Sequence, residues 1–163
     1  METVAKSLSR VFRPLTMLIC LAFLIAPVLA ESNTICFLTV LNLRDGGQLN
    51  AQNYVIKDKG EWESLWARLF PELSERRPLP EIDFERRTLL AVFQGNKPTS
   101  GYEISIREVV ESENAVEVSV KAFAPGKHCL VTGSDTSPFH IIEIQKTEKE
   151  VVFKVKQRIR NCD

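Results

Sequence analysis

The chain has few of the side chains from which most enzyme active sites are assembled. Its 163 residues include only two histidines, His128 and His140, and neither forms a paired metal-binding motif with the cysteines. A glycine-rich phosphate loop and a Gly-x-Ser-x-Gly nucleophile elbow are also absent. Carboxylates are plentiful but not arranged as a recognisable acid pair. We therefore expect no catalytic residues, no bound metal and no cofactor.

An excess of charge of one sign is absent as well. Lys and Arg number 21, Asp and Glu number 21, and the formal net charge is zero. Binding to nucleic acid needs a strong positive field, so no nucleic-acid partner is expected. The basic pairs at 76–77 and 86–87 lie among acidic residues. We interpret them as parts of a solvated, mixed surface.

The longest apolar run lies at the N-terminus. Three basic residues precede the run from Leu15 to Leu29, and Ala30 completes a small-residue cleavage pattern. This layout predicts a secretory signal peptide over residues 1–30. A retained anchor would look similar, although the run is shorter than the ~20 residues of a spanning helix. We expect a secreted or periplasmic domain of residues 31–163, with no membrane span after cleavage.

Three cysteines follow the predicted signal peptide, namely Cys36, Cys129 and Cys162. Export permits a disulfide, and the odd number leaves one cysteine over. Three pairings are open. If strands at 139–145 and 151–159 form a hairpin, the C-terminal end returns to the loop before the first of them. On that basis we predict a Cys129–Cys162 disulfide and a free Cys36.

A nucleophile built from His128 and Cys129 is an alternative use of the same residues. Adjacent residues on an extended chain point to opposite sides, and an exported thiol tends to oxidise. We therefore interpret His128 as a loop residue, Cys129 as a disulfide cysteine and His140 as a surface residue of a strand.

Alternating apolar and polar residues dominate the remaining sequence and indicate half-buried, mostly antiparallel strands. The segment at 88–93 is apolar throughout, as in a strand buried on both faces. A glycine turn at 45–47 separates the first two strands, and a polar break at 112–114 predicts a hairpin. The strand-like segments lie at 35–43, 53–57, 88–93, 102–110, 115–122, 139–145 and 151–159.

One segment has helical periodicity instead. Its apolar residues recur at i, i+3, i+4 and i+7 from Trp62 to Leu69, Asp58 or Gly60 can cap its start, and Pro71 stops it. The sequence thus predicts a mainly β fold with one α-helix (α+β). We expect an antiparallel sandwich or curled sheet of about seven strands, covered by the 60–70 helix.

Two loops are candidates for binding. In the 95–102 loop, Pro98 fixes its own φ and Gly101 is predicted to adopt a positive φ before Tyr102. The resulting stiff loop is either a preorganised binding element or a structural connector. The second loop ends at Pro138 and Phe139, where the aromatic ring can serve either binding or core packing. The predicted partner-binding residues are Asn96, Pro98, Thr99, Ser100, Gly101, Tyr102, Pro138 and Phe139.

Several short segments carry a resemblance to a known family. They are Tyr54-Val55-Ile56, Glu61-Trp62-x-x-Leu65-Trp66, Ile82-Asp83-Phe84, Leu89-Leu90-Ala91-Val92-Phe93-x-Gly95, Pro98-Thr99-x-Gly101-Tyr102-x-Ile104 and Ser137-Pro138-Phe139. Together they resemble the PrcB C-terminal domain, named after a subunit of a surface protease complex. The resemblance spans residues 53–157, and Ser100 stands where a second glycine is common. It implies that residues 31–163 form a PrcB C-terminal-like β domain.

A second, smaller likeness concerns the 95–102 loop alone. Asn96-x-Pro98-Thr99-Ser100-Gly101-Tyr102 is similar to the Asn-Pro-Thr-Thr-Gly-Tyr loop of chagasin-type inhibitors of cysteine peptidases, with Lys97 inserted. The family resemblance implies a non-catalytic protein that binds a protein partner, as a subunit or accessory protein of a protease or envelope complex. The loop resemblance implies the alternative, a stand-alone peptidase inhibitor. An enzyme with an unrecognised acid pair is a third possibility.

Overall fold

The computed structural model describes residues 32–47, 49–71 and 77–162. The predicted signal peptide, residues 1–30, lies outside the described residues. In the ranges that are described, no helix has the length and apolar character needed to cross a membrane.

The strands form two four-stranded sheets, and one helix covers one of them. The elements are β1 (Asn33–Thr34), β2 (Leu38–Leu43), β3 (Gln52–Ile56), α1 (Lys59–Leu69), β4 (Arg87–Phe93), β5 (Glu103–Glu111), β6 (Ala115–Pro125), β7 (Phe139–Gln145) and β8 (Glu150–Arg160). The central sheet has the order β2-β7-β4-β3, and the outer sheet has the order β1-β5-β6-β8. The prediction of a mainly β sandwich covered by one helix is confirmed, with the two-residue β1 in addition.

The middle of the molecule is the β4–β7 pair, because both strands are apolar on both faces. Leu89 and Ala91 pack toward α1, whereas Leu90 and Val92 pack toward the outer sheet. Every residue from Thr88 to Phe93 is buried, which confirms the prediction for that strand. Complete burial of one such aliphatic side chain contributes about 1.5–3 kcal/mol. The central sheet therefore carries two cores, one on each face.

Helix α1 begins and ends where the sequence indicates. The side chain of Asp58 accepts a hydrogen bond from the Glu61 N–H at 2.9 Å, which satisfies an N–H that has no partner within the helix. The Trp62 indole donates to the Pro80 carbonyl at 3.0 Å, so this side chain is both buried and hydrogen-bonded. The residues that α1 buries are Trp62, Leu65, Trp66 and Leu69.

One predicted hairpin is wrong. Strand β8 does not form a hairpin with β7; it runs parallel to β6 in the outer sheet, while β7 lies between β2 and β4. The reason is burial: β7 is apolar on both faces and needs cover on each, whereas most of β8 is exposed. The hairpin predicted at 112–114 does join β5 to β6.

The glycine turn at 45–47 does not join neighbouring strands either, because β2 and β3 lie at opposite edges of the central sheet. The two glycines allow the chain to pass close to the core. A Cβ atom on Gly46 would overlap the Phe139 ring, and one on Gly47 would overlap the Arg68 carbonyl. The Gly47 N–H also donates to the Leu69 carbonyl at 2.8 Å, at the end of α1.

The predicted disulfide is confirmed, although the hairpin that motivated it is absent. Cys129 and Cys162 are bonded, with their Cα atoms 4.9 Å apart, and Cys36 is free and exposed. Since β6 and β8 are parallel, their C-terminal ends coincide, and the Gly126 N–H donates to the Arg160 carbonyl at 2.8 Å. The turn after β6 therefore lies beside the end of β8.

The expectation that His140 is a surface residue is wrong, because its side chain is buried between the two sheets. A bulge in β5 between Ile106 and Glu108 interrupts the strand ladder. The Ile106 N–H donates to His140 Nδ1 at 2.9 Å, so the neutral ring carries its proton on Nε2, which lies 3.1 Å from Thr39 Oγ1. Burial and, second, the positive charge of Arg107 lower the pKa of His140 from 6.5.

Removal of the disulfide should destabilise the fold. The bond spans a sequence separation of 33 residues that includes β7 and β8. Loop-closure entropy predicts a loss of about 3–4 kcal/mol for the double substitution of Cys129 and Cys162 by Ser. Urea unfolding measures this loss. A Cys36→Ser variant is the control and should unfold as the unchanged protein does; equal stability of all three proteins would contradict the prediction.

The stability should fall with decreasing pH because of His140. The unfolded chain takes up a proton near pH 6.5, whereas the folded protein takes it up only at lower pH. The stability that the neutral His140 contributes is thus fully present above pH 6.5 and is lost as the pH falls toward the folded-state pKa. Over that range the free energy of unfolding falls by at most about 1.4 kcal/mol per pH unit. Denaturant unfolding from pH 7.5 to 5 tests this. His140→Gln should flatten the slope, and His128→Gln should keep it.

Candidate functional site

The two predicted binding loops lie side by side and are hydrogen-bonded to each other. The Lys97 N–H donates to the Thr136 carbonyl at 2.8 Å, and the Thr136 N–H donates back to the Lys97 carbonyl at 2.9 Å. Thr136 Oγ1 also donates to the Thr99 carbonyl at 2.9 Å. We call residues 95–102 and 132–138 together the paired edge. Its hydrogen bonds hold both loops in one conformation.

A further pair of hydrogen bonds extends the paired edge. The Ser100 N–H donates to the Thr132 carbonyl at 3.0 Å, and the Thr132 N–H donates to Ser100 Oγ at 2.9 Å. In the sequence, Ser100 is a mild departure from the family pattern, because it stands where a second and more flexible glycine is common. In the folded chain its hydroxyl is one of the groups that fix the second loop.

The predicted site residues divide into exposed and supporting groups. Asn96 and Pro98 are exposed, and residues 99–102 are half-buried. By contrast, Pro138 and Phe139 are buried, and the Phe139 ring stacks on Phe93 with centroids 5.5 Å apart. The prediction that these two residues lie on the contact surface is therefore corrected. Both are buried, and Phe139 packs in the core at the base of the second loop.

Two glycines shape the 95–102 loop. Gly95 has a φ of 77° and Gly101 a φ of 92°, so the positive φ predicted for Gly101 is confirmed. A Cβ atom at Gly101 would lie 3.0 Å from Pro125 Cβ and 3.2 Å from Val131 Cγ1. The corner thus needs glycine for its backbone conformation and for the space around it.

Two residues that sequence reasoning did not select also support the paired edge, namely Lys97 within it and Gln94 at its base. The Lys97 ammonium lies 5.6 Å from the centroid of the Tyr102 ring, within the range of a cation–π contact. The Gln94 side-chain amide donates to the Phe123 carbonyl at 3.0 Å, and its backbone N–H donates to the Pro138 carbonyl at 2.9 Å. Gln94 therefore ties the base of the loop to both sheets.

A cavity of about 380 Å³ opens beside the paired edge. Its wall is partly apolar, and the guanidinium of Arg77 lies 4.6 Å from the centroid of the Phe70 ring. Ser137 Oγ faces no hydrogen-bond partner among the described residues although the residue is more than nine-tenths buried. The lining residues are Asp45, Gly46, Gly47, Leu69, Phe70, Pro71, Arg77, Asn96, Asp135, Thr136 and Ser137. Because they come from separate segments of the chain, no local pattern in the sequence indicated the cavity.

The fold and the paired edge define a class: a helix-covered β-sandwich that presents two cross-braced loops at one end. Residues 88–145 match the family model described as PrcB C-terminal, which confirms over this segment the family resemblance predicted from the sequence. The matched segment extends from β4 to β7 and contains both loops. Neither a curated protein nor a solved structure matches the chain. The likeness of the loop to chagasin-type inhibitors stays a prediction.

Replacing Gly101 with Ala should distort the paired edge. The strained φ and the contact with Pro125 predict a loss of about 1–2 kcal/mol in unfolding free energy. Gly133→Ala is the matched control, since a Cβ atom at Gly133 would have no neighbour within 4 Å and the φ of this glycine is not positive. Thermal unfolding of the two variants should differ clearly. A Gly101→Ala protein as stable as Gly133→Ala would contradict the role assigned to this corner.

Proposed function

We propose that this protein is an exported, non-catalytic binding subunit of a protease or envelope complex, and that it docks on its protein partner through the paired edge. One observation carries the proposal: the mutual backbone hydrogen bonds between Lys97 and Thr136 at 2.8 and 2.9 Å. Loops that are already ordered lose little conformational entropy on docking, so more of the contact energy goes into affinity.

The roles of the reactive side chains support binding rather than catalysis. The Cys129 sulfur is bonded to Cys162, so it is not available as a thiolate. His140 uses both ring nitrogens in hydrogen bonds, one with Thr39 within the central sheet and one with Ile106 of the outer sheet. His128 is exposed in the loop beside the disulfide. Cys129 and His140 therefore have structural roles, and Cys129 cannot form a nucleophilic pair with His128.

Compartment and family add independent support. Disulfides persist in oxidising compartments, which agrees with export. The match of residues 88–145 to the PrcB C-terminal family supports a place in a protease-associated complex. The cavity beside the paired edge, at about 380 Å³, has room for one anchoring side chain of the partner.

Charged substitutions at the paired edge should abolish partner binding. Asn96 and Asp135 are exposed, and both line the cavity. The double variant Asn96→Arg/Asp135→Arg places two long side chains at the cavity mouth, and we expect at least a ten-fold loss of partner recovered by quantitative affinity purification from the native host. The matched control is Glu113→Arg/Asn114→Arg, which makes the same charge change in the exposed turn at the far end of β5. Equal recovery with both variants would refute docking through this edge.

Peptidase inhibition is the second candidate, favoured by the exposed Pro98 at the tip of a braced loop. Titration against papain-like and serine peptidases tests it. Stoichiometric inhibition that Asn96→Arg/Asp135→Arg removes would support this use of the edge. Absence of any inhibition would remove this candidate.

A further inference from the structure

Strand β8 has one free edge. In the part of the chain that the structure describes, its only strand neighbour is β6, with which it keeps a continuous register over all its 11 residues. The Arg160 carbonyl accepts from the Gly126 N–H on the β6 side. Backbone groups of alternate residues point to the same side of a strand, so those of Val155, Gln157 and Ile159 point to the free edge. No bulge or proline interrupts this row.

The outer face of β8 carries a row of four basic side chains, Lys154, Lys156, Arg158 and Arg160. The first and last form ion pairs, with Glu117 and Glu103. Among the described residues, Lys156 and Arg158 have no carboxylate within ion-pair distance, and Lys156 lies directly opposite Lys121 of β6. Like charges that face each other across two strands are unfavourable. We call these four residues the basic row; an added acidic chain would relieve its repulsion.

The inner face of β8 lies along an open groove between the two sheets, with a volume of about 730 Å³. Val155 is 43 % exposed and Ile159 is 71 % exposed, although both point toward the side of the core. Phe93 and Ile104 line the same groove, so it offers apolar surface to a further chain. Water-exposed β-branched residues in a groove of this kind are typical of an interaction site.

We propose that the free edge of β8 binds an extended, acidic segment of the partner protein by adding it as a strand. The alternate side chains of the added segment have two environments, and these define its chemistry. Acidic residues on one face meet the basic row, and apolar residues on the other face enter the groove beside Val155 and Ile159. The backbone groups of the segment pair with those of Val155 and Ile159. This inference rests on the proposed protein-binding function, and β8 lies outside the family-matched residues 88–145.

The charges favour such a segment over two other occupants. A second copy of the chain, joined through β8 to β8, would bring two basic rows onto the same face, where they repel each other. A lipid or nucleic-acid surface would neutralise the row but would leave the backbone edge and the apolar groove unused. An acidic strand uses the edge, the row and the groove together.

A fluorescein-labelled heptapeptide of alternating Glu and Val is the probe, and fluorescence anisotropy with the full mature chain is the measurement. We expect it to bind at least about ten-fold more tightly than the matching Lys–Val peptide and to weaken as salt is raised. Methylation of alternate backbone nitrogens of the peptide should weaken binding by about ten-fold, because it blocks strand pairing. The protein variant Lys156→Glu/Arg158→Glu should also bind the Glu–Val peptide about ten-fold more weakly, because it removes two positive charges of the basic row. Lys59→Glu/Lys146→Glu, which makes the same charge change at exposed positions at the start of α1 and after β7, should not.

Three results would overturn the inference. These are equal binding of the Glu–Val and Lys–Val peptides, equal binding of the methylated peptide, and binding to phosphatidylglycerol vesicles without binding to the peptide. Failure here is separable from failure of the proposed function, because the probe does not need the paired edge. Asn96→Arg/Asp135→Arg should bind the peptide normally while losing the partner; loss of peptide binding in that variant would also contradict the assignment to β8.

Discussion

The pairing of β4 with β7 is the constraint on which the rest of the molecule depends. Both strands are apolar on both faces, so one face needs the helix and the other needs the outer sheet. The same pairing positions the two loops of the paired edge. Phe93 at the end of β4 lies opposite Phe139 at the start of β7, so the loop that leaves one strand and the loop that enters the other begin side by side. The Lys97–Thr136 bridge continues that antiparallel ladder beyond the sheet. The rigidity of the paired edge is therefore a consequence of the core.

The one histidine in this core shows how the two sheets are joined without a loss of hydrogen bonding. The bulge between Ile106 and Glu108 interrupts the ladder with β6, and a buried Ile106 N–H without a hydrogen-bond partner there would be costly. His140, which is opposite Val92 in the central sheet, accepts that hydrogen bond. Since alternation of apolar and polar residues does not reveal a bulge, no pattern in the sequence indicated a buried acceptor at this position.

Local patterns predicted local structure, and long-range pairing was where sequence reasoning failed. Alternation or a continuous apolar run located the seven longer strands, and the spacing from Trp62 to Leu69 located the helix, because each pattern reflects which side chains are buried. Adjacency in sequence suggested a β7–β8 hairpin, yet β7 needs cover on two faces and β8 on one, so they lie in different sheets. The disulfide was predicted correctly because either arrangement brings the end of β8 to the turn before β7. The cavity was not predicted because its residues come from separate segments that only the topology brings together. The basic row lies at alternate positions of a single strand, but only the topology shows that this strand has a free edge.

The paired edge and the free edge of β8 are connected through the groove between the sheets. Lys97 and Tyr102 line the groove from the loop side, and Val155 and Ile159 line it from β8. A partner that docks on the paired edge would therefore hold any neighbouring extended segment close to β8, and the second contact would become intramolecular. Under this arrangement the loops supply shape-specific recognition. The basic row adds binding free energy that is sensitive to salt, and it does so only after the paired edge has docked. High salt should then weaken the whole complex only to the level that the paired edge sustains by itself.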